Sequence, residues 1–303
     1  MILLTGATGA IGGELLPLLL SQGHDVRALV REPRRLGPNR VNVQIALGDL
    51  ADPFSMRHAL RGVDTVVHLA ATIRDQPGGT IEELNGLATA RLLRAAERVG
   101  AERFLFFSAI GATEFQRTRF FRAKALAERA VLASPLESVV FAPSIVYAPG
   151  DPWLGLLERL SALPVMPVSG SGRARYQPIW ARDVARCVSA SLDGGDGGQP
   201  PGTREEAGGR RYELAGPETL TYDGIVRAVQ RAGGRERPLL HLPLGVVRAG
   251  LRTVELLQGR EAFATWEEAE LMEVPMTSSA GTADAERLGV QPRPMPEVLN
   301  GSG

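Results

Sequence analysis

The segment Thr5-Gly6-Ala7-Thr8-Gly9-Ala10-Ile11-Gly12 spaces three glycines in a way that suits backbone amides cradling phosphate oxygens. Gly6 would allow a tight turn, Gly9 would let the chain approach a pyrophosphate, and Gly12 would let a following helix pack closely. A helix opening at Ala10 and Ile11 would aim unpaired N–H groups and its positive dipole end at the same phosphates, so Thr8, Ala10 and Ile11 join the glycines as cofactor-binding candidates. About 20 residues beyond such a turn, an Asp or Glu usually bonds the ribose 2′-hydroxyl. Here that place is Arg31, followed by Glu32-Pro33-Arg34-Arg35. A guanidinium fork suits a 2′-phosphate dianion, so NADP(H) is preferred to NAD(H).

These residues need strands and helices to hold them. Ile2–Leu4, Asp25–Val30, Val43–Ala46, Thr65–Leu69, Arg103–Ser108 and Ser138–Ala142 read as strands, and Ile11–Gln22, Pro53–Leu60, Ile81–Val99 and Ala123–Ala133 as the helices between them. The alternation predicts an α/β fold, a Rossmann-type doubly wound parallel sheet with ligands at the carboxyl ends of the strands. Residues 1–147 are expected to form the nucleotide domain, with 176–192 and 212–217 returning to it. A smaller, mainly helical C-terminal lobe, 148–175 and 218–303, is expected to provide the substrate or partner surface. Asp193–Arg211, rich in turn formers, reads as a mobile surface loop, and Tyr212–Ala215 as a strand. A helix near Leu244–Leu257, with Arg248 and Arg252 between its apolar positions, fits the core or a docking face. Pro164, Pro167, Trp180 and Phe263 are candidates for an apolar pocket.

Composition excludes other classes. Basic and acidic residues balance at 34 each, leaving no overall positive field for nucleic acid or an anionic membrane. Cys187 is the only cysteine and the four histidines are scattered, so neither a disulfide nor a metal site is expected. No run approaches the length of a membrane-spanning helix, and a cytoplasmic protein is the expectation.

Further segments carry a family resemblance. They are Gly48-Asp49-Leu50, Val66-Val67-His68-Leu69-Ala70-Ala71, Asn85, Phe107-Ser108-Ala109-Ile110-Gly111-Ala112, Ala142-Pro143-Ser144-Ile145-Val146-Tyr147, Gln177-Pro178-Ile179-Trp180 with Asp183-Val184-Ala185, and Tyr212-Glu213-Leu214-Ala215-Gly216-Pro217. With the TGATGAIG opening they cover nearly the whole chain. Together they resemble the extended and atypical short-chain dehydrogenases/reductases, the NAD-dependent epimerase/dehydratase-like proteins, and most of all the branch of the NADPH-binding accessory subunit of respiratory complex I. The resemblance implies that Asp49 and Leu50 contact adenine, that Leu69, Ala70 and Ala71 line the adenosine side, and that Pro143 and Ile145 belong to the cofactor set. It also implies that Lys124, at the family's lysine position, holds the nicotinamide ribose. Lys124 is the only lysine in the chain.

The departures concern catalysis. The family's Tyr-x-x-x-Lys is here Phe120-Phe121-Arg122-Ala123-Lys124, and Ala109 and Ile110 stand where a serine is usual. A phenyl ring cannot pass a proton to or from a substrate oxygen. Thr113, Thr118, Tyr147 and Tyr176 are the nearest replacements. One expectation is therefore an NADP(H)-dependent oxidoreductase, epimerase or dehydratase acting on an unidentified small molecule through an unusual acid. The alternative is a non-catalytic NADP(H)-binding protein with a structural, assembly or redox-sensing role, whose partner is a protein.

Overall fold

The computed structural model describes residues 1–194, 209–247, 249 and 266–301. Short apolar runs alternate with amphipathic helices from the first residue onward. β1 (Ile2–Thr5), α1 (Ala10–Ser21), β2 (Val26–Val30), β3 (Gln44–Leu47), α2 (Pro53–Ala59), β4 (Thr65–His68), α3 (Ala88–Val99), β5 (Arg103–Phe107), α4 (Arg119–Leu132) and β6 (Glu137–Pro143) follow in order. After β6 come β7 (Val146–Tyr147), α5 (Pro152–Leu160), β8 (Met166–Ser169), β9 (Arg175–Tyr176), β10 (Ile179–Trp180), α6 (Ala181–Leu192) and β11 (Arg210–Leu214). The remainder holds β12 (Leu220–Thr221), α7 (Tyr222–Ala232), β13 (Leu239–Leu242), α8 (Trp266–Leu271), α9 (Ala283–Arg287) and α10 (Met295–Asn300).

Seven strands form one sheet in the order β11-β6-β5-β4-β1-β2-β3, every pairing parallel. Successive side chains of a strand point to opposite faces, so the central strands feed two cores. Ile2 and Leu4 of β1 pack with Leu15, Leu19, Val184 and Val188 of α1 and α6, while Leu3 packs with Met56, Leu92, Phe104 and Val131 on the other face. Strand order reverses between β1 and β4, the place where a sheet of this kind opens a crevice at its carboxyl edge.

The observed elements depart from the sequence reading in particular places. Phe121, Lys124, Ala127 and Val131 are buried at helical spacing, which carries α4 back to Arg119, four residues before the expected start at Ala123. The expected helix Ile81–Val99 passes, after Ile81 and Glu82, through a π-type segment, Glu83–Leu87, before α3 begins. Its wider turn buries Asn85. The strand expected from Tyr212 starts at Arg210. Most of the loop expected at Asp193–Arg211, most of the helix expected at Leu244–Leu257, and Phe263 lie outside the described residues.

A second core unites Tyr147, Leu157, Met166, Tyr176, Trp180, Ile225 and Val298 from the segments beyond β6. This part is not helical alone, since β7–β10, β8–β13 and β9–β12 each form a two-stranded ribbon. Ala285, Leu288 and Val290, expected in the smaller lobe, instead join the core beneath the seven-stranded sheet. Among the described residues no helix is long and apolar enough to cross a membrane.

Candidate functional site

β1 runs into a turn that only glycine can make at two of its positions. Gly6 has a φ of +75°, and a Cβ there would stand 2.6 Å from the amide nitrogen of Ala70. A Cβ on Gly12 would stand 2.2 Å from Gly6 O, so the first turn of α1 is pressed onto the loop. Gly9 differs, because its nearest neighbour would be Gly6 O at 3.4 Å. Space in front of Gly9 is therefore open to a ligand. Gly9 N–H is spent on Gly6 O (3.0 Å), and no side chain caps α1, whose first turn carries no acidic residue. Its opening amides are free to receive an anion.

A cleft of about 330 Å³ lies over this turn at the carboxyl ends of β1, β2 and β4. Of the residues singled out from sequence, Gly6, Thr8, Gly9, Arg31, Asp49, Leu50, Leu69, Ala70 and Ala71 line it. Ala10, Ile11, Gly12, Lys124, Pro143 and Ile145 do not. Arg31 and Asp49 face each other at 3.9 Å, both partly exposed, and Arg35 joins the same wall. Thr72, Gln76 and Leu84 also line the cleft. Sequence reasoning passed over these three because nothing local marks them.

Beneath the turn runs a buried polar chain. Thr89 Oγ1 donates to Asn85 O (2.7 Å), so it accepts from His68 Nε2 (2.9 Å), and His68 Nδ1 in turn accepts from Thr5 Oγ1 (2.7 Å). The ring is thus neutral with its proton on Nε2. Burial, aided by the charge of Lys124, pushes His68 down to about 3. Asn85 clamps Thr72 from both sides, accepting from its N–H (3.1 Å) and donating to its carbonyl (2.8 Å). The cleft wall at residues 69–72 is fixed from below.

Lys124 sits apart from the cleft, on α4. It is 2% exposed, its Nζ donates to Phe107 O (2.6 Å), and the rings of Phe106 and Phe120 lie 4.8 and 5.8 Å away. Burial pushes its ammonium down to about 7. Phe120 packs among Phe121, Leu271, Met272, Val274 and Met276. The segment holding those last four is anchored across the carboxyl ends of the strands, with Met276 O accepting from Ser144 Oγ (2.7 Å) and Met272 O from the Tyr176 hydroxyl. Of the replacement acids, Tyr176 is engaged in that bond and Thr113 is exposed. The hydroxyls of Thr118, Tyr147 and Ser108 are buried without a hydrogen-bond partner among the described residues. Burial pushes the Tyr147 phenol upward, so it holds its proton firmly. Trp180 is part of the second core. Among the described residues no group of three or more His, Cys, Asp or Glu is placed to hold a metal ion.

A family model described as NAD(P)H-binding matches residues 6–152, the stretch that builds the turn, the cleft and α4. Ceramide reductase of Caulobacter vibrioides is 30% identical over 260 residues, spanning 82% of this chain and 76% of that protein. The chain belongs to the NAD(P)-binding short-chain dehydrogenase/reductase family. Its cofactor is accordingly a nicotinamide dinucleotide. A second relative, the mitochondrial NADH dehydrogenase [ubiquinone] 1 alpha subcomplex subunit 9 of Arabidopsis thaliana, is 28% identical over 71% of this chain, which spans 54% of that protein. A nucleoside-diphosphate-sugar epimerase from Staphylococcus aureus superposes over 99% of both chains with a TM-score of 0.75 at 20% identity, which shows the shared fold.

Proposed function

We propose that the chain binds NADP(H), with the pyrophosphate on the opening turn of α1 and the 2′-phosphate between Arg31 and Arg35, and that it does not turn the cofactor over by tyrosine-based chemistry. The cleft wall carries the first half of this reading. Two guanidiniums line it at the end of β2, and Asp49 is a loose partner that a phosphate dianion could outcompete. Asp49, Leu50, Leu69, Ala70 and Ala71 would hold the adenosine, and Lys124, Pro143 and Ile145 the nicotinamide half. Phe120 carries the second half, since it supplies no proton and packs against the apolar cluster of Ala109, Phe121, Leu271 and Val274 that Met272 and Met276 also cover. The protein would then use NADP(H) as a structural, assembly or redox-sensing ligand. Titration with NADPH and NADH tests the first half. NADPH should bind at least about tenfold tighter, or about 1.4 kcal/mol. Arg31→Ala should weaken NADPH and leave NADH nearly unchanged, and equal affinities in the wild type would remove the role given to Arg31.

A second reading, an oxidoreductase using another acid, has its own support. The likeness to a ceramide reductase favours an apolar alcohol or ketone as substrate. Ser108, whose hydroxyl lacks a partner among the described residues, directly follows the residue whose carbonyl holds Lys124. Rapid NADPH oxidation by wild-type protein with a long-chain ketone, abolished by Ser108→Ala, would establish this reading and overturn the non-catalytic one.

A further inference from the structure

Although the chain as a whole balances its charges, one end of the part beyond β6 does not. α5 and α7 pack against each other, and each leads through a short loop into one strand of the parallel β8–β13 ribbon. Because the ribbon is parallel, both loops and both helix C-termini meet at the same end of it, joined where Met166 N–H donates to Pro238 O (2.9 Å). Arg159 and Arg231 occupy the last turns of the two helices, Arg227 stands one turn behind, and Arg235 and Arg237 lie in the second loop. All five are exposed, and none forms an ion pair among the described residues. Glu158 and Glu236 are the acidic side chains beside them, while Asp223, at the opposite end of α7, is engaged by His241 (2.9 Å). Attraction to the negative ends of the helix dipoles accounts for Arg159 and Arg231. It does not account for the other three.

Apolar side chains project from the same end. In β8, Met166 and Val168 point into the second core, so Val165 and Pro167 take the outward face. Register pairs Pro167 with Leu240, which puts Leu240 on that face beside Val165. Leu163, Val165 and Leu240 are 45%, 41% and 48% exposed. One exposed apolar side chain needs no explanation, but three set among arginines that form no ion pair among the described residues describe a surface with two kinds of contact.

We propose that this end of the molecule docks on an anionic lipid surface, its arginines on lipid phosphates and Leu163, Val165 and Leu240 reaching into the headgroup–acyl boundary. Guanidinium forks bind phosphate oxygens bidentately, and each basic residue near a negatively charged leaflet adds attraction that fades beyond a Debye length. A bilayer boundary accepts scattered apolar side chains singly, whereas a stable protein partner needs roughly 1,000 Å² of complementary surface. The inference stands independently of the cofactor reading.

Co-sedimentation of the full chain with vesicles tests it. Binding to equimolar phosphatidylglycerol and phosphatidylcholine is expected, with little binding to phosphatidylcholine alone and clear weakening at high salt. The double variant R235E/R237E should lose about tenfold or more in partitioning, and L163S/L240S should also weaken binding while leaving the salt dependence in place. Thermal melting and NADPH titration of the same variants should match wild type, which separates a lost surface from a lost fold or a lost cofactor site. No binding by wild type, equal binding to both vesicle types, or binding indifferent to both double variants would overturn the proposal.

Discussion

Lys124 follows Phe120 by one turn of α4, and its Nζ lies 5.8 Å from the centre of the phenyl ring. In the family a phenol and an ammonium stand at these positions, each tuning the other. Here the ammonium has two aromatic neighbours, Phe106 and Phe120, and a single carbonyl, and its burial governs its titration.

Stability should reflect the cost of burying that charge. Lys124 falls from 10.5 to about 7 in the folded protein. Between those values the unfolded chain holds a proton that the folded chain lacks, so wild-type stability rises with pH across that window, and the penalty is complete below about 7. Lys124→Met keeps the stem and removes the charge. The variant should be more stable than wild type by on the order of 2 to 4 kcal/mol at the acidic end, after about 1 kcal/mol is lost at the orphaned Phe107 carbonyl. The difference should close as pH approaches 10.5. Urea unfolding of both proteins across this range measures it, and a variant less stable than wild type throughout would mean that the ammonium is better solvated than its burial implies.

His68 sets the acid limb. Its folded value of about 3 lies below the ordinary 6.5, so the unfolded chain takes up a proton first, and stability is lost as pH falls from 6.5 toward 3. His68→Gln keeps a donor toward Thr89 and an acceptor toward Thr5 without titrating in that window. It should cost some stability at neutral pH and flatten the acid limb. Unfolding midpoints followed with pH should show a shallower slope for the variant, and identical slopes would place the acid sensitivity on other groups.

The glycines of the turn should separate folding from binding. A side chain at Gly12 meets Gly6 O at 2.2 Å, with backbone on the other side that cannot yield, whereas one at Gly9 meets nothing closer than 3.4 Å. Gly12→Val is expected to lose about 3 kcal/mol or more, or to fail to fold. Gly9→Val should melt close to wild type and bind neither NADPH nor NADH. Retained binding by Gly9→Val would show that phosphate does not approach the chain there.

Legibility in the sequence followed the range of the interactions. The turn at Gly6 to Gly12 was readable because its geometry is local, and the central strands β1, β2, β4, β5 and β6 were readable because both their faces are buried. The Phe120–Lys124 spacing was readable only through the family's Tyr-x-x-x-Lys pattern; that both residues share one helix was not, since the expected helix began at Ala123 and Arg119-Phe120-Phe121 has no strong helix signal of its own. Hidden from the sequence were the contacts that span the chain. Met272 and Met276 join the cluster that Phe120 packs on across some 150 positions, and nothing about a methionine announces where it packs. The link from Thr5 through His68 and Thr89 to Asn85 needs two strands and a helix in register before it exists. Asn85 was conspicuous as a residue, but its hold on Thr72 depends on the π-type turn that buries it.

Phe120→Tyr returns the one atom whose absence decides the catalytic reading. The new phenol would sit on the same turn as Lys124, and a charged ammonium nearby favours the phenolate, the tuning that proton transfer at neutral pH requires. The apolar packing from Met272 and Met276 pulls the other way, because desolvation raises a phenol, as it does for buried Tyr147. Loss of a general acid commonly removes a factor of about 10² to 10⁴ in rate, so that is the ceiling on what the substitution could restore. With NADPH and a panel of simple and long-chain ketones, wild type should be slow or inactive and Phe120→Tyr measurably faster. Because reduction needs the phenol to give up its proton, the added rate should fall as pH rises through the phenol's ionisation, and it should vanish in Phe120→Tyr/Lys124→Met. A wild type that already turns over rapidly would sink the non-catalytic reading and shift attention to Ser108. If both proteins hold NADPH and neither turns over, the Met272–Met276 segment, and not the missing hydroxyl, is what closes the site, and Met272→Ala with Phe120→Tyr becomes the variant that should open it.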